Sequence, residues 1–486
     1  MNFGSLLGFH ARTRGDAIAV RDNNSALTYS QLDDLAGKVA AILHKRGVEK
    51  GMPVAVISGN CLNQAVLYAG IMYAGAVFAP INFRLNSEEI ANLLNLIGNP
   101  LTVADMDNMH HVRNGVELTS LIEEAGKSGE AVPCCFAEPS DPNNILFTSG
   151  TTGLPKGATL SHSNIVASAA NCALLRGLDT TTVCYVPLPL YHTAALHGQL
   201  TSAWYCGGEA WILNSWDVDR VRSDMAKDHI SSVFLMPEQW EDLMVHLPEL
   251  RLHRMSDPRT AGAIIKDELL DKLELLTGKL PNFGMGMTEC SPHINFMSGG
   301  LIRTKNGTVG RPSAFADVIV CDDDNQIVPP GQVGEMRIRG PLVMSSYWNA
   351  PEATAESFDE NGYFCGGDLV TQDEDGFIAI VDRKKDLIRS GGENVFCVEI
   401  EQTLLQHSGI QEVAVVGFPH EKWGEGVAAV IVPSDSGDVP ALGDIQGWVC
   451  KHLASYKKPL LLEVRSELPR NKTGKVGSVR NSVSFL

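Results

Sequence analysis

Ten residues, Thr148-Ser149-Gly150-Thr151-Thr152-Gly153-Leu154-Pro155-Lys156-Gly157, constrain this chain more than any other stretch, because hydroxyls, glycines and a lysine follow directly on the apolar run Ile145-Leu146-Phe147. The apolar run reads as the end of a buried strand, and apolar periodicity resumes at Ile165 as in a helix. The spacing therefore predicts a strand-to-helix connection. Glycines let backbone approach an anion and turn its N–H groups inward, while the hydroxyls add neutral donors and Lys156 adds a point charge. A phosphate-binding loop is the expectation. The common nucleotide loop sets four residues between a Gly and a Gly-Lys-Ser/Thr, and Gly150 and Lys156 do not fit that spacing, which argues against a kinase or P-loop ATPase.

At 486 residues, with 44% hydrophobic and 20% charged residues, the chain can bury a large core and divide into two or more domains. A net charge of −18 argues against nucleic acid as the main partner while leaving room for a local basic site for a small phosphate-bearing ligand. The apolar runs at 413–418 and 427–432 are too short to span a bilayer, and Met1-Asn2-Phe3-Gly4 lacks the features of a signal peptide. The expected location is cytoplasmic. Eleven cysteines without a CxxC pair suit reduced thiols better than disulfides or a zinc site.

Over the first 380 residues short β-like runs alternate with helical patterns, which predicts layered α/β architecture. Thr28 and Gln31 have capping-box spacing, opening a helix expected to run to about Arg46 and stop at Gly47, with a strand to follow at 53–58. Residues 78–82, then Arg84-Leu85 and Glu88-Glu89, mark another strand-to-helix passage. The stretch 309–348 is rich in Val, Ile and Gly, with turn signals at 322–325 and at Pro329-Pro330-Gly331, and predicts a β-rich subdomain. The charged run Asp382-Arg383-Lys384-Lys385-Asp386 is the candidate domain boundary. Beyond it, helices near 398–406 and 445–455 and strands near 412–417 and 426–432 suffice for a small α+β domain.

Further motifs follow in order. Gly284-Met285-Gly286-Met287-Thr288-Glu289 sets a hydroxyl and a carboxylate after two glycines, Gly362-Tyr363-Phe364-Cys365-Gly366-Gly367-Asp368 ends on a carboxylate, and Leu468-Pro469-Arg470-Asn471-Lys472-Thr473-Gly474-Lys475-Val476 lies near the end. With the 148–157 loop and the Asp382-Arg383 pair, these motifs resemble the adenylate-forming superfamily, which contains acyl-CoA synthetases, adenylation domains and beetle luciferases. The resemblance covers nearly the whole chain.

It implies a large multi-subdomain N-terminal α/β domain over 1–382, for ATP and the acyl substrate, and a small mobile α+β domain over 383–486 hinged at Lys385. The implied activity is an acyl-CoA synthetase reaction: carboxylate plus ATP gives acyl-AMP and pyrophosphate, and CoA then takes the acyl group. By resemblance, Thr148, Ser149, Gly150, Thr151, Thr152, Gly153 and Lys156 hold the phosphates, Thr288 contacts phosphate, Glu289 holds Mg²⁺, and Asp368 and Arg383 contact the ribose. Lys475 is the mobile ammonium at the reacting centre. Gly391 and Gly392 form the passage for the pantetheine arm of CoA, where the absence of side chains keeps a narrow path open.

Some positions depart from the family pattern. Met285 stands where an aromatic usually stacks on adenine, Thr260-Ala261-Gly262-Ala263-Ile264 replaces a Ser-Gly-Ala-type turn ending in Pro, Gly366 replaces a Thr, and Cys397 replaces a proline. After Lys475 the family commonly carries several arginines, whereas this chain reads Val476-Gly477-Ser478-Val479-Arg480. That sparse tail keeps an amide-forming or carrier-protein-loading ligase open as an alternative. Pro189-Leu190-Tyr191-His192 resembles the strand end whose His lines the acyl pocket, and Gly284, Gly286 and Met287 would complete its wall. No arginine adjoins His192, Gly262 or 284–287, so a monocarboxylate with a neutral tail, fatty or aromatic, is expected. A monomer or homodimer is the plain expectation for assembly.

Overall fold

The computed structural model describes residues 2–148, 155–227, 229–245, 252–261, 265–384, 386–390, 393–434 and 439–470. By compactness the chain divides into two units. The first takes residues 1–318, 338–364 and 376–378; the second takes 319–337, 365–375 and 379–486.

Two sheets organise the first unit. The nine-stranded sheet runs in the spatial order Arg311–Pro312, Asn295–Met297, Asn282–Met285, Asp257–Thr260, Ser232–Phe234, Val183–Val186, Glu209–Ile212, Ile18–Arg21, Ala26–Thr28. Its six central strands are parallel, and antiparallel strands close both edges. The seven-stranded sheet runs Ser346–Tyr347, Lys156–Ser161, Pro142–Thr148, Val77–Ile81, Pro53–Ile57, Thr102–Ala104, Val116–Glu117, again with a parallel centre. Parallel strands need both faces covered, and these read as continuous apolar runs: all of Val77–Ile81 is buried. The α/β expectation holds.

Local signals set several boundaries. Thr28 and Gln31 exchange the hydrogen bonds of a capping box, at 3.3 and 2.9 Å, and start the helix Tyr29–Lys45. Asn86 and Glu89 form a second box that starts Ser87–Leu96. A core of Trp240, Leu243, Leu270, Leu273 and Tyr185 fills the space beside the nine-stranded sheet. No helix among the described residues is long and apolar enough to cross a membrane.

The β-rich stretch 309–348 is distributed among three sheets. Arg311–Pro312 and Ser346–Tyr347 are edge strands of the two large sheets, whereas Asp317–Cys321 and Gly334–Arg339 join Phe364–Gln372 and Ile378–Arg383 in a four-stranded sheet. The second unit also holds a sheet built on the long antiparallel pair Ile410–His420 and Gly424–Pro433, with Leu461–Val464 added in parallel. The helices Cys397–Leu404 and Leu442–His452 supply Ile400, Leu404, Ile445 and Val449 to the core beneath it. These elements lie within a few residues of their expected positions.

Candidate active site

The strand Pro142–Thr148 turns back into the antiparallel strand Lys156–Ser161, with Thr148 directly opposite Lys156. The glycine- and hydroxyl-rich segment is thus a hairpin connection, which corrects the strand-to-helix expectation. The helix His162–Arg176 begins only after the second strand, capped by Ser161 and Asn164. Ala158, Thr159 and Leu160 are all buried in the sheet, and so short a run carries no period that separates a strand from the start of a helix. Ser149, Gly150, Thr151, Thr152 and Gly153 lie outside the described residues, as do Gly262, Lys385, Gly391, Gly392 and Lys475.

Lys156 and Glu289 meet on one ring. The strand Ser346–Tyr347 pairs with Lys156–Ser161, placing Tyr347 opposite Ala158, and Trp348 N–H donates to Gly157 O at 2.7 Å. Lys156 Nζ sits 4.8 Å from the centre of the Tyr347 ring, a cation–π contact. The Tyr347 hydroxyl donates to Glu289 Oε1 at 3.0 Å. Burial, and then the Glu289 carboxylate, push the Tyr347 hydroxyl above its ordinary range, so it stays protonated and remains a donor. Glu289 belongs to the helical turn Thr288–Cys290, and its carbonyl accepts from Met344 N–H at 2.7 Å. Tyr347 is a site residue that sequence reading passed over. Its only signal was a strand-forming aromatic 58 residues from Glu289, a pairing that no local pattern reports.

The turn ahead of Glu289 is equally fixed. A Cβ on Gly286 would lie 0.9 Å from Pro292 O, so only glycine fits there. Gly284 leaves 3.0 Å to Asn295 O. Both glycines let the strand Asn282–Met285 run tight against the returning chain. Met285 is half-buried, with its sulfur 3.8 Å from Asn295 Nδ2, and Met287 and Thr288 are half-buried beside it. A thioether is a polarisable surface softer than an aromatic ring.

His192 is half-buried, 4.5 Å from the Tyr191 ring, and precedes the short turn Thr193–Ala195 and the π-helical segment Leu196–Thr201. Asn60 clamps this loop, donating to Leu188 O at 2.8 Å and accepting from Leu190 N–H at 2.9 Å. Thr148, Lys156, His192 and 284–289 all belong to the first unit, which brings the hairpin to Glu289 through Tyr347.

In the second unit Asp368 is buried within the strand Phe364–Gln372. Arg383 Nε lies 3.0 Å from Asp368 Oδ1, and Lys384 N–H donates to Gly367 O at 2.8 Å. Gly367, at φ 78°, takes a left-handed bend just ahead of the carboxylate. Asp382 accepts from Arg383 N–H at 2.7 Å and from Cys397 N–H, tying the charged run to the helix Cys397–Leu404. A proline at 397 would lack that N–H.

In the first unit a lysine and a carboxylate share one tyrosine, and in the second the buried Asp368 pairs with the exposed Arg383. The chain belongs to the AMP-binding enzyme family: that family's model matches residues 9–348, and the model of the AMP-binding enzyme C-terminal domain matches 399–475. Its relatives include a feruloyl-CoA synthase of Amycolatopsis, 33% identical with 97% of this chain and 96% of the relative covered. The long-chain-fatty-acid–CoA ligase FadD13 of Mycobacterium tuberculosis is 32% identical, with 93% and 91% covered. Among solved structures, ATP-bound MatB from Rhodopseudomonas palustris superposes with a TM-score of 0.88 at 28% identity, covering 98% of this chain and 97% of that one. The chain is accordingly an enzyme of the AMP-forming acid–thiol ligase class, and these relatives do not favour the amide-forming or carrier-loading alternatives.

Proposed function

We propose that the chain joins a fatty or aromatic monocarboxylate to CoA at the expense of ATP. In the first half-reaction a carboxylate oxygen attacks the α-phosphorus of ATP; the acyl–O–P link forms as the bond to the β-phosphate breaks, and pyrophosphate leaves. In the second, the CoA sulfur attacks the acyl carbon; the C–S bond forms, AMP departs and the thiol proton is released. The observation that carries this reading is Lys156 held over the Tyr347 ring and Glu289 on its hydroxyl, with Thr148 opposite Lys156.

In this reading Thr148, Lys156 and the residues 149–153 bind phosphate oxygens, and Thr288 adds a hydroxyl. Mg²⁺ suits a donor set of one carboxylate plus phosphate oxygens and water, and Glu289, aimed by Tyr347, is that carboxylate; the ion would neutralise phosphate charge there. Asp368 and Arg383 take the ribose, Met285 and Gly262 the base, and His192 with Gly284, Gly286 and Met287 the acid. Lys475 stabilises charge building on the bridging oxygens, worth roughly 100- to 1000-fold in rate for a preorganised charged donor. The proposed boundary remains 382/383 with Lys385 as hinge, turning the C-terminal domain between half-reactions so that Gly391 and Gly392 admit CoA. The setting is taken as cytoplasmic and the assembly as a monomer or homodimer.

The test is pyrophosphate release with ATP, Mg²⁺ and a panel of fatty and aromatic acids, with mass spectrometry of each mixture after adding CoA. An acyl-CoA product is expected. Lys475→Ala should lose most acyl-AMP formation while still binding ATP; full adenylation by that variant, or pyrophosphate without acyl-CoA, would overturn the assignment.

A further inference from the structure

Arg259 lies in the strand Asp257–Thr260, 3% exposed, one residue from the strand's carboxyl end. Its nearest buried carboxylate is already engaged. Asp257 accepts from Arg176 Nε at 2.7 Å, from Ser232 Oγ at 2.7 Å and from Asn282 Nδ2 at 2.9 Å. Asp257 therefore serves Arg176, and Arg259 forms no ion pair among the described residues. Burial, and then Arg176, lower its pKa to about 10, which still leaves it cationic at neutral pH.

Arg259 spends one arm on His293, donating from Nη2 to Nε2, and stacks over the Phe234 ring at 5.2 Å. Burial, with Arg259 and Arg176 beside it, holds His293 neutral, so the ring accepts that bond. The other arm, Nη1, is buried without a partner. A donor left in that state costs about 1–3 kcal/mol, more for a charged group, so native structures rarely keep one that nothing fills.

The position of Arg259 indicates what fills it. His293 follows Pro292, whose carbonyl covers Gly286, and a Cβ on Gly198, in the π-helical segment after His192, would lie 3.8 Å from His293 Nε2. The Arg259–His293 pair therefore lies between the two segments assigned to the acid. It also sits at the carboxyl end of a parallel sheet, where α/β enzymes bind ligands. Asn171 Oδ1, His197 Nε2, Thr260 Oγ1 and Ser291 Oγ are also buried without partners. Asn171 is linked to the cluster through a 2.9 Å bond to His293 O.

We propose that Arg259, oriented by His293, is a specificity residue that donates to an oxygen on the tail of the acid, remote from the reacting carboxylate. The inference rests on the ligase reading above and narrows its substrate class to acids with an oxygen-bearing tail; Arg259 directly precedes the Thr260-Ala261-Gly262 turn, but its burial without an ion pair among the described residues is a property of the fold.

The test compares matched acids, cinnamate against para-hydroxycinnamate and octanoate against omega-hydroxyoctanoate, in the full-length enzyme by pyrophosphate release with ATP, Mg²⁺ and CoA. A charge-assisted hydrogen bond predicts a preference of roughly 10- to 100-fold in kcat/KM for the oxygenated member of at least one pair, expressed in KM. Arg259→Met should collapse that ratio to about one by raising KM for the oxygenated acid. Equal turnover within each pair, or an unchanged ratio in the variant, overturns the inference and leaves the ligase reading standing. The wild-type comparison decides the matter if the variant fails to fold. No turnover with any acid overturns both.

Discussion

The Tyr347 hydroxyl donates to Glu289 Oε1 at 3.0 Å, while Lys156 Nζ rests 4.8 Å from the centre of the same ring. One side chain on the edge strand Ser346–Tyr347 therefore sets the spacing between the site's lysine and its carboxylate. It does so by two different interactions. The hydrogen bond fixes the carboxylate rotamer, and the ring face positions the ammonium without neutralising it.

Tyr347→Phe separates the two contributions, because it keeps the ring and deletes the donor. A hydrogen bond to a charged group is worth about 1.5–3 kcal/mol, so kcat/KM for ATP should fall roughly 10- to 100-fold, with a higher Mg²⁺ requirement. Tyr347→Leu should fall further, since the ring contact to Lys156 is lost as well. Pyrophosphate release titrated with Mg²⁺ reads both effects. If Phe behaved as wild type at every Mg²⁺ concentration, Tyr347 would have no part in aiming Glu289.

Gly286 offers a prediction about stability. With 0.9 Å between a would-be Cβ and Pro292 O, Gly286→Ala must displace backbone on one side of the turn. Overpacking of this kind costs typically 1–3 kcal/mol, and a backbone obstacle belongs at the upper end. A drop of about 3 kcal/mol in unfolding free energy, read from urea midpoints, is expected together with lost adenylation. Gly300→Ala is the control, because a Cβ there meets nothing within 4 Å. Equal midpoints for the two variants would contradict the geometry.

Local chemistry made much of this molecule legible. The Thr28–Gln31 spacing announced a helix start, because caps are written in neighbouring residues. The hairpin at 148–156 was misjudged because Ala158-Thr159-Leu160 is too short to show a period. The partners that give the site its shape escaped for a different reason. Tyr347 lies 58 residues from Glu289, Arg259 lies 34 from His293, and Asn60 lies 128 from Leu188, all joined by tertiary packing. Tertiary packing is decided by which elements bury one another, and that is not encoded at any fixed spacing.

Glu401 links the second unit to pH. It sits in the helix Cys397–Leu404, accepts Val415 N–H at 2.8 Å, and is pushed up to about 7 by burial first, with the Asp382 and Asp386 carboxylates adding to it and the Val415 hydrogen bond opposing. An ordinary glutamate titrates near 4.5, so between about 4.5 and 7 the folded chain holds a proton that the unfolded chain has released. Stability from this group is therefore fully present below about pH 4.5 and is lost as pH rises through about 7. Asp382, raised by its own burial, acts in the same direction. Glu401→Gln keeps an oxygen for Val415 and removes the titration. Relative to wild type it should gain stability from pH 5 to pH 8, by about 2–3 kcal/mol at most at one pKa unit per ~1.4 kcal/mol. Urea midpoints of both proteins at the two pH values measure the difference, which cancels every other titrating group common to the pair. A gap that stayed constant with pH, or that widened toward acid, would show that Glu401 is ionised in the folded chain throughout this range.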